Sequence, residues 1–306
     1  MTKSIDIPLQ SYQLAKYAVQ VPCYICGEGN AFDGEFCRHC FAPMALAHQA
    51  NTQDVRPAMI ATLGASGVGK TVYLGMLMDM LSRETDERRL QMLARGAFSI
   101  NLQQITASAL ARCEFPDKTP NEPDRWNWVH CQVRDPKRKQ PVELVMPDMA
   151  GEAIMEEIDH PFTYHGTRAL LTKSAGVMVL VDGHKLQEGS LDQDHFTTKL
   201  LSYLRELDPH PRRGWPARPI AVVFTKADQC DNCFDDPSLF AERYASRLWQ
   251  QCQQRFTSHR FFAAGVAGAC APRTQYDGTR VNVPLRIEPR GITEPFAWLV
   301  EQMKIG

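Results

Sequence analysis

Residues Leu63–Thr71 read LGASGVGKT, and they follow a short apolar run, AMIATL (Ala58–Leu63). The segment Gly64-Ala-Ser-Gly-Val-Gly69-Lys70-Thr71 fits G-x-x-x-x-G-K-[ST] at every fixed position. Glycines let successive amides turn inward without Cβ clashes, and such a run of amides makes an anion nest. The next stretch, KTVYLGMLMDMLSR (Lys70–Arg83), places Leu74, Leu77, Met78 and Leu81 at helical spacing. Strand, glycine loop and helix in this order aim a helix N-terminus at a phosphate. Gly64, Ser66, Gly67, Val68, Gly69, Lys70 and Thr71 are therefore assigned to a nucleoside triphosphate. Lys70 would reach the β- and γ-phosphates, and the Thr71 hydroxyl would serve Mg²⁺.

Working outward, strands alternate with helices. RWNWVHCQVR (Arg125–Arg134) and PVELVMPD (Pro141–Asp148) flank the charged turn DPKRKQ and read as a hairpin. GVMVLVD (Gly176–Asp182) and PIAVVFTKAD (Pro219–Asp228) open as continuous apolar runs, as buried parallel strands do. Helices are expected over 98–113, 196–207, 241–256 and 293–303, and a last strand over RFFAAGVAGA (Arg260–Ala269). The pattern predicts an α/β fold with a mostly parallel sheet.

The 306 residues are 44% hydrophobic and 23% charged, with a net charge of −1. That is ordinary globular composition without a global basic field, so nucleic acid is not the expected partner. No apolar run reaches the roughly 20 residues a membrane span needs, and the first residues lack a signal-peptide core. A cytoplasmic location is expected, with the ten cysteines reduced and some of them binding metal. Residues 1–47 hold two close cysteine pairs, 48–57 read as a polar linker, and 58–306 form the main domain.

Thr225-Lys-Ala-Asp228 closes the apolar run PIAVVF and resembles the [N/T]KxD guanine-specificity motif of P-loop GTPases. The resemblance implies that Asp228 accepts two hydrogen bonds from the guanine edge, which adenine cannot donate. Lys226 would lie along the base. Pro147-Asp-Met-Ala-Gly-Glu152 resembles DxxG of the Ras-like and translation-factor class, with Asp148 and Gly151 at the fixed positions. By that resemblance Asp148 holds Mg²⁺ through water and the Gly151 amide senses the γ-phosphate. It covers about residues 58–303 and implies a G-domain: a P-loop NTPase fold, helices on both sheet faces and one antiparallel edge strand.

Three positions depart from the pattern. The switch I threonine is assigned to Thr119, in DKTPNEP before the hairpin. Glu152 stands where Ras-like proteins carry glutamine; an ionised carboxylate accepts but cannot donate, and it repels the γ-phosphate. Slow hydrolysis, or hydrolysis completed by a partner, is expected. Arg168 is weighed as an in-cis arginine finger against an ordinary helix arginine. The last base-contacting loop offers Ala264 and Gly265, which leaves backbone contacts.

Cys23, Cys26, Cys37 and Cys40 follow C-x2-C-x10-C-x2-C, a spacing that can surround one Zn²⁺ in a compact zinc ribbon. Tyr24, Phe32, Phe36, Arg38, His39 and Phe41 either present an interaction surface or cover a domain too small for its own core. Cys230 and Cys233 read as loop residues beside the nucleotide pocket, with a redox pair or shared metal as the other reading. Cys113, Cys131, Cys252 and Cys270 read as core fillers, and Trp126 and Trp128 as strand packing.

Together, the short zinc ribbon, the DxxGE segment and the C-terminal GITEPFAWLV resemble bacterial double-GTPase proteins. That resemblance implies a GTP- and Mg²⁺-dependent switch in a conflict or signalling system, with protein partners at the switch segments or ribbon. An ATP-using P-loop enzyme and a nucleotide-binding scaffold without turnover are the competing readings.

Overall fold

The computed structural model describes residues 20–53, 57–207, 218–274, 276 and 278–303. In chain order, β1 (Gln20–Pro22) and β2 (Gly29–Ala31) pair antiparallel and are followed by α1 (Met44–Gln53). Then come β3 (Ala58–Leu63), α2 (Lys70–Ser82), β4 (Gln91–Arg95), α3 (Gly96–Ala111), β5 (Asn127–Arg134) and β6 (Val142–Asp148). The middle holds α4 (Gly151–Asp159), α5 (His165–Lys173), β7 (Gly176–Asp182), α6 (Gly183–Gln187) and α7 (Leu191–Glu206). The chain continues with β8 (Ile220–Thr225), α8 (Pro237–Tyr244), α9 (Ser246–Arg255) and β9 (His259–Ala263). β10 (Gly265–Thr274), β11 (Arg280–Arg290) and α10 (Thr293–Gln302) complete it.

A seven-stranded sheet in the order β4-β5-β6-β3-β7-β8-β9 organises the domain. From β6 to β9 the neighbours are parallel, while β5 runs antiparallel to both β4 and β6. The expected hairpin is β5–β6. The antiparallel strand is not the outermost one, because β4 adds a further strand beyond it. Gln91–Arg95 is too short and too mixed in polarity to stand out by alternation.

Strand residues alternate between two cores, as the period of two requires. Met59, Ala61 and Leu63 share one apolar cluster with α5, α7 and α9, whereas Ile60 shares the other with α2, α3 and α10. Helices thus cover both faces; β7 and β8 are buried along their whole length, and β3 from Met59 onward.

Three local expectations change. The segment 241–256 is two helices broken at buried Ala245 (φ −138°, ψ 53°), because Asp194 Oδ1 takes the Leu248 amide at 3.2 Å. The strand expected over 260–269 ends at Ala263. Ala264 makes the last bonds to the β8 end (N to Phe224 O, 2.8 Å; O from Ala227 N, 3.1 Å), and the chain then leaves the sheet in the β10–β11 ribbon. Residues 48–53, expected within an irregular linker, continue helix α1.

Cys131 and Cys252 fill the core as expected. Cys113 does not: it is exposed, with φ 56°, just past the α3 C-terminus, where a left-handed residue stops a helix. Cys270 is half-buried on the ribbon. Trp126 and Trp128 are both buried, with Trp128 inside β5 and Trp126 just before it.

Candidate functional site

The register of the sheet brings the motifs to one edge. Thr62 pairs with Asp148 and Asp182 pairs with Thr225, so the loops after β3, β6, β7 and β8 open at the same carboxyl end of the strands. They surround a cavity of about 690 Å³.

The glycine loop leaves β3 at Gly64 and enters α2 at Lys70. Gly67 (φ 75°) and Gly69 (φ 89°) lie in the left-handed region, which L side chains avoid. Ser66, Gly67, Val68 and Gly69 line the cavity. The Val68 carbonyl accepts the Thr225 hydroxyl at 2.8 Å, so the β8 motif pins the phosphate loop. Lys70 is buried, and its Nζ donates to Gly64 O (2.9 Å) and Ala65 O (3.1 Å). Burial pulls its pKa down to about 8, against the opposing pull of Asp148 and Glu152. An ammonium held this way is short of counter-charge.

Beside it three side-chain oxygens converge. Thr71 Oγ1 lies 2.9 Å from Thr119 Oγ1 and donates to Asp148 Oδ2 at 2.9 Å, and Thr119 Oγ1 is 3.1 Å from the same oxygen. Asp148 is fully buried, and its Oδ1 has no hydrogen-bond partner among the described residues. Burial raises its pKa, with Lys70, Thr71 and Thr119 opposing. A buried carboxylate with a free oxygen, flanked by two hydroxyls, is a hard-oxygen donor set that fits a small divalent cation. Thr119 is held by its neighbours, because Trp126 Nε1 donates to Pro120 O at 3.0 Å.

Gly151 starts α4 against the glycine loop: a Cβ there would sit 2.4 Å from the Ser66 nitrogen. Glu152 follows it and forms an ion pair with Lys118. Arg168 is neither a finger nor a solvated residue. Its Nη1 donates to Tyr203 Oη at 2.8 Å and lies 3.8 Å from fully buried Glu157, which also accepts the Phe162 and Tyr164 amides.

At the other end of the cavity stands Thr225-Lys-Ala-Asp228. Lys226 adopts φ 56° and its Nζ meets Asp182 Oδ2 at 2.5 Å. Asp182 caps α6 through the Lys185 amide. Asp228 lines the cavity, and burial raises its pKa. It packs on Gly265, where a Cβ would lie 2.4 Å from Asp228 Oδ1, so a larger residue there would displace that carboxylate. Ala264 and Gly265 line the same wall, and the ribbon adds Cys270 and Asn282. Asp182, Lys118 and the ribbon wall are the parts sequence reasoning missed. Only Asp182 had a signal, as a charge ending an apolar strand. Cys230 is half-buried, with its thiol directed at Lys226 O (3.4 Å), and Cys233 is buried; both are free thiols on the loop after this motif.

The four N-terminal cysteines come together, their sulfurs all within 4.8 Å of one another. Cys23 and Cys40 Sγ lie 3.6 Å apart, as do Cys26 and Cys37, and all four are free. Tetrahedral coordination by thiolates at about 2.3 Å sets sulfurs about 3.8 Å apart, so the cluster fits one Zn²⁺. Gly27 N and Phe41 N each bond the carbonyl of the first cysteine of their pair at 2.9 Å, giving two matching knuckles, each closed by a left-handed residue. The ribbon packs on α5: His39 stacks on His165 (4.0 Å, 22°), Lys173 Nζ donates to Ile25 O at 2.5 Å, and Gly166 abuts the Cys40 carbonyl. Val21, Ile25 and Met44 join the domain core, while Phe32 and Phe41 stay exposed. Tyr24 packs partly buried against that core, so the ribbon's aromatics divide between covering and display.

The fold and this pocket define a P-loop GTPase. The family model described as Double-GTPase 2 matches residues 58–269, and the chain belongs to that family. No curated relative matches the chain. Among solved structures, it is similar to nucleolar GTP-binding protein 1 from Plasmodium falciparum, with 13% identity over 81% of this chain and 87% of that one (TM-score 0.40). It is also similar to the Arl6 BBS3 small GTPase from Trypanosoma brucei with the nucleotide analogue GppNp bound. That match has 13% identity over 80% of this chain and 96% of that one (TM-score 0.37). Among the described residues, no helix is long and apolar enough to cross a membrane.

Proposed function

We propose that the chain binds GTP with Mg²⁺, hydrolyses it slowly, and acts as a nucleotide-dependent switch for a protein partner. The observation that carries this reading is the meeting of Thr71, Thr119 and Asp148 beside the Lys70 ammonium, at the closed end of a cavity whose other end holds Asp228. In it, Gly64, Ser66, Gly67, Val68 and Gly69 cradle the phosphates, and Lys70 reaches the outer two. Thr71, Thr119 and Asp148 hold Mg²⁺, which when bound neutralises phosphate charge. The Gly151 amide meets the γ-phosphate. Thr225 braces the phosphate loop, Lys226 flanks the base, and Asp228 accepts from its edge. Glu152 in place of an amide is the reason for slow turnover. Thr119 and Gly151 lie on different segments, and both would be ordered by the γ-phosphate and released with it. The four cysteines hold Zn²⁺, which ties the ribbon to α5, the helix after the Gly151 segment. That surface, in a cytoplasmic conflict or signalling system, is the place we assign to a partner.

Titration with fluorescent GTP and ATP analogues tests the base assignment. GTP should bind at least about a hundredfold more tightly, because a site built for two donors is left unpaired by adenine. Asp228→Asn should move the preference toward xanthosine nucleotides; equal affinity for ATP and GTP contradicts the assignment and favours the ATP-enzyme reading.

Affinity should also depend on pH. The empty pocket holds Lys70 at about 8. Bound phosphates would restore its charge, so above that pH binding must take up a proton. Nucleotide affinity should be flat below pH about 8 and fall by up to about tenfold per unit above it. Titrations across that range check this, and a flat profile up to pH about 9 would contradict it.

The purified chain should carry about one zinc per molecule. Cys40→Ser or a strong chelator should remove the metal and lower the melting temperature, since binding energy at such sites is folding energy. Metal analysis paired with a thermal melt reads both, and a metal-free chain of unchanged stability would refute the zinc assignment.

A further inference from the structure

The geometry points to Lys118 as an in-cis cation for the γ-phosphate, one that trades its contact with Glu152 for the phosphate when a triphosphate enters. This rests on the reading of the cavity as a triphosphate pocket. Lys118 immediately precedes Thr119 on the loop between α3 and β5, and it lines the phosphate end of the cavity with Ser66, Lys70 and Glu152. Its ammonium pairs with the Glu152 carboxylate across the two segments. Its charge also reaches Lys70, where it opposes the second ammonium. Two cations therefore face one space, and an anion placed between them would satisfy both.

Two other cations in or near the site are already committed. Lys226 is held by Asp182, and Arg168 by Tyr203 and Glu157. Lys118 alone among these is held by a carboxylate standing where the γ-phosphate must come. Left by itself, Glu152 would repel that phosphate. Burial of Glu152 raises its pKa, but hydrogen bonds from Lys118, Ser66 and its own backbone amide, with the Lys118 charge, bring it below the ordinary value, so it stays ionised and the repulsion would be real. The pair is not there mainly for fold stability: the Lys118 side chain is 64% exposed, and ion pairs that exposed contribute little. What the arrangement does is cancel the cost of a glutamate at this position, and it makes that cancellation specific to the third phosphate. A diphosphate ends before it reaches Lys118 and gains nothing from it.

The test compares GDP with the non-hydrolysable triphosphate analogue GppNp, both with Mg²⁺, on the full chain. Binding replaces turnover as the readout, so slow hydrolysis does not obscure the result. Lys118→Ala should weaken GppNp about tenfold while GDP stays within about twofold, and Lys118→Arg should retain most of the difference. Glu152→Gln should bind GppNp a few-fold more tightly than the parent chain, because a repelling charge is gone. If Lys118→Ala does not fold, Lys118→Gln carries the same expectation. Equal loss for both nucleotides, or no loss for either, overturns the assignment of Lys118. Failure of the unaltered chain to bind either nucleotide is a different result: it overturns the pocket reading itself, and this inference with it.

Discussion

A fully buried carboxylate with one oxygen left over organises this molecule. Asp148 ends β6, opposite Thr62 of β3, and two threonine hydroxyls from distant parts of the chain close on its other oxygen. Burying such a group without full compensation is costly, so its surroundings must be held in place. The sheet supplies that hold. Parallel pairing of β6, β3 and β7 fixes the strand ends, and α2 carries Thr71 and Lys70 from the same loop. The buried ammonium and the buried carboxylate offset each other only partly, so each is left with charge that its protein neighbours do not meet.

The same constraint explains how distant parts are tied to the pocket. Thr225 reaches back to Val68, Trp126 fixes the backbone beside Thr119, and Gly151 packs on the Ser66 amide. The first and last of these ties join a motif to the phosphate loop through a backbone atom, and the second holds the segment that carries Thr119. The N-terminal ribbon is tied to α5 by a stacked histidine pair and by Lys173. From within α4, Glu157 gathers the Phe162 and Tyr164 amides of the α4–α5 connection and the Tyr203 hydroxyl of α7. The helix that begins at Gly151 is thus connected to α5, the helix on which the ribbon packs.

Much of this was legible in the sequence because the motifs depend on short-range chemistry. Gly64–Thr71 needs left-handed residues at fixed steps, and Thr225–Asp228 follows a strand whose burial shows as an unbroken apolar run. Thr119 was found by order along the chain, and the structure brings it to Thr71 and Asp148. What stayed hidden depends on long-range contact. β4 is a short edge strand without alternation. At Ala264 the chain makes its last bonds to the β8 end and leaves the sheet, and the break at Ala245 goes with a cap supplied by Asp194, some fifty residues away. The Lys118–Glu152 pair joins a loop to the first turn of α4, which no local pattern connects.

Neutralising Lys70 tests the account most directly. Lys70→Met keeps the length and apolar stem of the side chain and removes the charge. Titrating it with a fluorescent GTP analogue and Mg²⁺ should show affinity reduced by about a hundredfold or more, since a buried charge partner of the phosphates is lost. The empty protein should melt no lower than the parent, because an undercompensated buried ammonium has been removed. Unchanged affinity in a folded variant would contradict the proposal that this pocket is built around a triphosphate.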